Sequence, residues 1–256
     1  MRWQTNMANN VKRITDIVTT DRRPLDAVGA KPSGNFFKAI GAVVWKDILA
    51  EYRSLELVSA MSVFSLLVII IFNFALDLDI KMRQTVTAGV LWATFAFAGT
   101  LGLNRSMSVE KDRGCLDGLL LAPVDRSAIY FGKVISNLAF MLIVEIIVLP
   151  VYSVLYGMNL FIPGLLMVIL LGSIGYVGVG TLLATMSVQT RTRDVLLSIL
   201  LFPVILPVLL PAIIASNGFL TGLELADILF PLGILIAYDI IFIAVAFMVF
   251  DNVVEE

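Results

Sequence analysis

Six long apolar runs dictate what this chain can become: 57–76, 85–103, 134–156, 161–186, 195–216 and 228–250. A helix rising 1.5 Å per residue crosses a hydrocarbon core of about 30 Å in roughly 20 residues. Inside that core every backbone N–H and C=O must be satisfied within the segment, so runs of this length are read as helices. The expectation is an all-α membrane protein with six transmembrane helices. Composition agrees: 59% of the 256 residues are hydrophobic and 15% are charged, against averages of about 45–50% and about 25%. A soluble fold needs a solvated exterior that this sequence cannot supply. No soluble domain fits between the runs, and no repeat of 20–50 residues is visible.

The segment before the first run divides in two. Residues 1–34 are polar, of mixed charge, and carry Pro24, Pro32 and Gly34. They contain no apolar stretch of the secretory-signal kind and read as a flexible tail. In 35–53, Phe37, Ile40, Val44, Ile48 and Tyr52 recur at helical spacing with Trp45 beside them, while Lys38, Lys46 and Arg53 fall opposite. That pattern suits a helix lying in the membrane interface; the other reading is a simple extension of the first span. Glu51 intrudes on the apolar stripe. The domain expectation is a tail, 1–34, followed by one transmembrane domain, 35–256.

The connections set the orientation, because Lys and Arg concentrate on the cytoplasmic side. Sixteen of the eighteen lie in the N-terminal segment and in the loops 104–133 and 187–194; Lys81 and Arg83 lie on the other side, in 77–84. Both termini are expected in the cytoplasm.

Absent residues exclude several chemistries. Without histidine there is no imidazole metal site, general base or haem ligand in the chain. With Cys115 the only cysteine there is no CxxC pair. No GxxxxGK[ST] occurs, so the sequence offers no recognisable phosphate-binding loop.

The loop between the second and third runs stands out. A charged helix end, closing on Glu110, Lys111, Asp112 and Arg113, is followed by Gly114, then by the apolar group Leu116, Leu119, Leu120 and Leu121, and Pro123 stops it. Asp125-Arg126-Ser127 can cap a new helix entering the third span. A short apolar helix at a membrane surface needs burial, either against the chain's own spans and the headgroups or in a groove on a partner subunit.

The run Asn104-Arg105-Ser106, the loop from Glu110 to Pro123, and Tyr130-Phe131-Gly132-Lys133 resemble the permease (B) subunit of the haem exporter of cytochrome c maturation. The likeness continues through Val144-Glu145 and Leu149-Pro150, and from Arg191 to Pro207. It covers about 36–216. Asp117 stands where that family usually has Glu, and Cys115 where a small polar residue is common. The resemblance implies a six-span, ABC-2 exporter-like permease half with an N-terminal elbow helix at 35–53. It implies a homodimer working with a separate ATP-binding cassette subunit, a haem-handling membrane subunit and a periplasmic haem chaperone in the bacterial inner membrane. The ATPase-coupling contact would be carried by Glu110, Gly114, Leu116, Asp117, Leu119, Leu120 and Pro123, with ATP bound on the partner and haem as the handled ligand. No cofactor and no nucleic acid is expected on this chain, and no catalysis.

Other polar or special residues keep two readings each. Glu145 and Asp239 lie inside spans, where a lone carboxylate costs several kcal/mol unless paired, hydrogen-bonded or protonated. Either they line a path or contact another subunit, or they bond a neighbouring helix. Pro203, Pro207 and Pro211 share one face of the fifth span and imply a bent or partly unwound helix, as a gating hinge or as a static kink. Gly172, Gly175, Gly178, Gly180 and Ala184 fit close helix packing. Arg191, Arg193 and Asp194 either touch the ATPase or are ordinary inside-facing charge. Among functions, a transport subunit leads, for haem or, alternatively, for a lipid, polysaccharide or drug. An intramembrane enzyme would need clustered catalytic groups, and a passive scaffold would need no apolar coupling loop.

Overall fold

The structure, a computed structural model, describes residues 36–75, 80–112, 125–187 and 193–253, with side chains for 36–75, 85–112, 125–187 and 195–248. Among the described residues it is all helix: α1 (Phe36–Ser54), α2 (Glu56–Ala75), α3 (Ile80–Asp112), α4 (Arg126–Tyr156), α5 (Pro163–Ser187), α6 (Arg193–Thr221) and α7 (Leu225–Val253). Six of them, α2 to α7, are long and apolar enough to cross a membrane. Residues 35–256 form one compact unit.

Each span starts and stops for a local reason. Asp125 caps α4 as its sequence position foretells, its carboxylate accepting from the Ser127 N–H at 2.9 Å. Gly157, at φ 65°, ends α4 in the left-handed conformation, a position where a β-carbon would be strained. Pro163 opens α5 at a first-turn position that needs no N–H donor. The loops are shorter than the apolar runs suggest. Residues 104–112 and 126–133 belong to helices, and only 222–224 separate α6 from α7. At 33 residues, α3 is roughly 50 Å long at the helical rise and outreaches a hydrocarbon core of about 30 Å.

α3 and α5 occupy the interior, and α2 and α7 the periphery. The glycines of α5 explain how helices come so close: a methyl at Gly172 would collide with the Trp92 ring, and one at Gly180 with Leu103. These small residues serve packing within the chain. Side-chain hydrogen bonds join the layers. Trp92 Nε1 donates to Ser216 Oγ at 2.9 Å, Asn137 Nδ2 to Thr181 Oγ1 at 3.1 Å, and the Tyr176 hydroxyl to the Ala96 carbonyl at 2.6 Å. Outward-facing residues such as Leu67, Ile71, Ile146 and Ile214 are apolar, as a lipid-facing surface requires.

α6 is an unbroken helix from Arg193 to Thr221 in spite of its three prolines, so partial unwinding is not observed. Pro203 and Pro207 face outward and Pro211 is buried. The Tyr238 hydroxyl donates to the Val204 carbonyl at 2.7 Å. This bond ties α7 to α6 one residue from the Pro203 carbonyl, the acceptor that Pro207 leaves without an N–H donor.

Candidate functional site

The described part of the loop region is its two stems, the end of α3 and the start of α4. Both are fastened to α1. Gly132 on α4 makes this possible: a β-carbon there would sit 2.7 Å from Val43 Cβ, so only glycine lets α1 lie this close. The contact brings together four charged side chains from three helices. Lys133 Nζ lies 2.8 Å from Asp47 Oδ2 and 2.6 Å from Glu110 Oε1. Lys46 Nζ lies 3.0 Å from Asp47 Oδ1 and also bonds Glu110 Oε1.

Two cations and two carboxylates balance. The balance matters, because Lys133 and Glu110 keep only 5% and 9% of their side-chain surface exposed, and an unpaired charge at such depth is strongly destabilising. Lys46 is raised above its ordinary value of 10.5. Burial acts downward and is the largest single effect, but the hydrogen bonds and charges of Glu110 and Asp47 outweigh it.

α1 thus differs in one respect from its sequence pattern. Its apolar stripe does face outward at Phe37, Trp45, Ile48 and Tyr52, yet Lys46, expected on the solvent side, turns inward to the charge cluster. Glu51, which looked like an intruder, caps α2: its Oε1 accepts from the Leu57 and Val58 N–H groups at 3.0 and 2.9 Å. The chain reverses between α1 and α2 through Leu55 at φ 51°.

Beside the cluster lies a cavity of about 250 Å³ between α1, the start of α2, the end of α3 and α4. Leu57, Val109 and Phe140 form its apolar wall, and Arg105, ion-paired with Glu56, forms part of its polar one.

Of the residues expected to carry the ATPase-coupling contact, Glu110 alone is described, and it is buried in the charge cluster. Gly114, Leu116, Asp117, Leu119, Leu120 and Pro123 lie outside the described residues, as do Arg191 and the tail 1–34. Arg193 and Asp194 open α6, with their side chains outside the description. In the spans, Glu145 Oε1 accepts from Ser173 Oγ at 2.5 Å, and its Oε2 has no partner among the described residues. Asp239 is buried against Gly175, and neither of its oxygens has a partner among them. Ser173 and Gly175 are two residues apart, about 200° around a helix, so the two acids approach α5 from nearly opposite sides and do not form a pair. Sequence reasoning did not single out Asp47, and quoted Lys133 only as the end of a family motif, with no role of its own. The available signal was a lysine directly ahead of an apolar run.

Over residues 38–255 the sequence matches the family described as CcmB protein. The chain belongs to that family. The match takes in all six spans, including the last, which lies beyond the residues 36–216 that carried the resemblance. It begins within α1 and excludes the tail. A curated relative, heme exporter protein B of Pseudomonas aeruginosa, is 26% identical over 152 residues, which is 59% of this chain and 68% of that protein. The four charged residues of the cluster all lie inside the family region.

Proposed function

We propose that this chain is the non-catalytic membrane permease subunit of an ABC-type complex that exports haem, or releases it onto a periplasmic chaperone, in cytochrome c biogenesis. Membership in the CcmB family and the name of the Pseudomonas relative support the haem assignment. The observation that carries the mechanism is the charge cluster: Glu110, just before the 113–124 loop, and Lys133, just after it, are both tied to α1.

In this reading the loop is a coupling helix. Leu116, Leu119 and Leu120 seat in a groove of a separate ATP-binding subunit, while Gly114 and Pro123 bound the helix and Asp117 contacts the ATPase. Arg191, Arg193 and Asp194 form a second cytoplasmic contact. When ATP closes a pair of ATPase subunits, the pull falls on the rigid ends of α3 and α4. Those helices continue through the bundle, so displacement at the loop becomes a tilt of the spans, and α1 moves with them at the membrane surface. Two copies of this chain form the permease in the bacterial inner membrane, with both termini cytoplasmic. Haem is the substrate. Because the chain has no histidine, histidine ligands to haem come from a haem-handling membrane partner and not from this chain.

The test is affinity purification of the full chain from native membranes in mild detergent, with mass spectrometry of what accompanies it. An ATP-binding subunit together with cytochrome c maturation proteins is expected, and Leu119→Asp with Leu120→Asp should lose the ATPase while the chain stays inserted. Recovery of the ATPase without maturation proteins would move the substrate to a lipid, polysaccharide or drug. Undiminished ATPase recovery by the double variant would remove the coupling role.

A further inference from the structure

The cavity between α1, α2, α3 and α4 has a chemistry that the coupling role does not use. Its lining carries three cations and four carboxylates, so a purely anionic guest would meet a wall already negative on balance. Glu110 faces it, more than nine-tenths buried, with Oε1 engaged by both lysines and Oε2 without a donor among the described residues. A buried acceptor left in this state costs free energy, and a guest that brings an N–H would relieve the cost.

Arg105 supplies the opposite polarity. Its side chain is 39% exposed and its partner Glu56 60% exposed, so their ion pair is weak and exchangeable, and a guanidinium is suited to a phosphate. The remaining wall is apolar: Leu57, Val109 and Phe140. On its other face α1 presents Trp45, Ile48 and Tyr52 outward, the residue types that settle at a bilayer interface. A charge-separated head, an N–H donor and an apolar continuation at headgroup level describe one class of molecule.

We propose that this cavity binds the headgroup of an ethanolamine-type phospholipid, with its ammonium donating to Glu110 Oε2 and its phosphate on Arg105. The guest then fills the gap between α1 and the bundle and makes the seating of α1 dependent on the lipid around it. A choline headgroup fits poorly, since it has the same charge but no N–H. A glycerol headgroup fits poorly because it brings the anion without the cation.

The experiment is native mass spectrometry of the full-length chain, purified in mild detergent with its accompanying subunits, delipidated, then titrated separately with phosphatidylethanolamine, phosphatidylcholine and phosphatidylglycerol. Phosphatidylethanolamine is expected to be retained at one molecule per chain, and the other two about tenfold more weakly, the worth of one charge-assisted hydrogen bond. Arg105→Gln, at a half-exposed position that should not disturb folding, is expected to lower phosphatidylethanolamine retention by a similar factor. Glu110→Gln, if it folds, should abolish the preference over phosphatidylcholine. Equal retention of the three lipids, or an unchanged Arg105→Gln variant, would overturn the proposal. Displacement of the lipid by an equal concentration of soluble glycerophosphoethanolamine would overturn the lipid as its source.

Discussion

Glu145 shows how a single residue can be tolerated deep in a bundle. One carboxylate oxygen accepts from Ser173 on α5 at 2.5 Å, and the other is buried with no partner among the described residues. Among the described residues the site offers one hydrogen-bond donor, and no salt bridge reaches it. Glu145→Gln keeps the acceptor and the shape, so its level in the membrane and its thermal unfolding in detergent should stay near those of the parent. Glu145→Lys brings a fixed charge into a pocket without a counter-ion and should cost several kcal/mol, read as a chain that is degraded or unfolds at markedly lower temperature. Equal loss from both would mean that a negative charge is required at this position. The sequence marks Glu145 and Asp239 because a carboxylate inside an apolar run is conspicuous. It does not tie Ser173 or Gly175 to them, because that relation arises only when α5 is packed between α4 and α7. Glu51 was misleading for a similar reason. A carboxylate on an apolar stripe looks out of place until the turn at Leu55 brings the α2 N–H groups onto it.

At the level of elements, the bond between α1 and the two loop stems is the part most open to experiment. Replacing Lys133 by Met removes one cation from a balanced buried cluster and leaves Asp47 and Glu110 with Lys46 alone. Breaking a buried pair in this way costs about 3–5 kcal/mol. Thermal unfolding in detergent should therefore fall clearly for Lys133→Met and recover in large part when Glu110→Leu restores the balance. Additive losses would mean that the four residues do not act as a unit. The cluster should also respond to alkali. Lys46 is raised by Glu110 and Asp47 above 10.5, so its contribution is complete below that value and disappears as pH climbs through the higher folded value. Limited proteolysis at the α1–α2 turn should be flat across neutral pH and quicken only above 10.5. Lys46→Met should weaken that alkaline step, by a modest amount because the side chain is 42% exposed. Helix positions were legible from hydrophobic runs, and the Asp125 cap from its motif. The polar end of α3 was legible too, from its charged residues up to Asp112; the fastening of α3 and α4 to α1 was not, since it arises from packing rather than from hydropathy.

For the whole molecule, packing within the bundle is settled by side chains, whereas its direction across the membrane rests on charge. Sixteen of eighteen Lys and Arg residues fall on one set of connections, and Lys46, Arg105 and Lys133 gather at the end where α1 docks. In the orientation proposed above, the cytoplasmic side of the bilayer, which favours such charge, would hold that end inward. The opposite end includes the short α6–α7 turn at 222–224, where the positive-φ Gly222 and exposed Leu223 and Glu224 stand clear of the bundle. Asn217, which lay in a loop by hydropathy, is on α6 and only partly exposed, so it is a poor place for a probe. A cysteine at Glu224, in a chain whose Cys115 is replaced by Ser, should instead react with a membrane-impermeant maleimide applied from the periplasm. A cysteine at Tyr52, exposed on α1, should react only after the inner membrane is opened. Swapped reactivity would invert the molecule, and the 113–124 loop would then lie on the side without ATP. The coupling reading would fall with it, while the helix packing would stand unchanged.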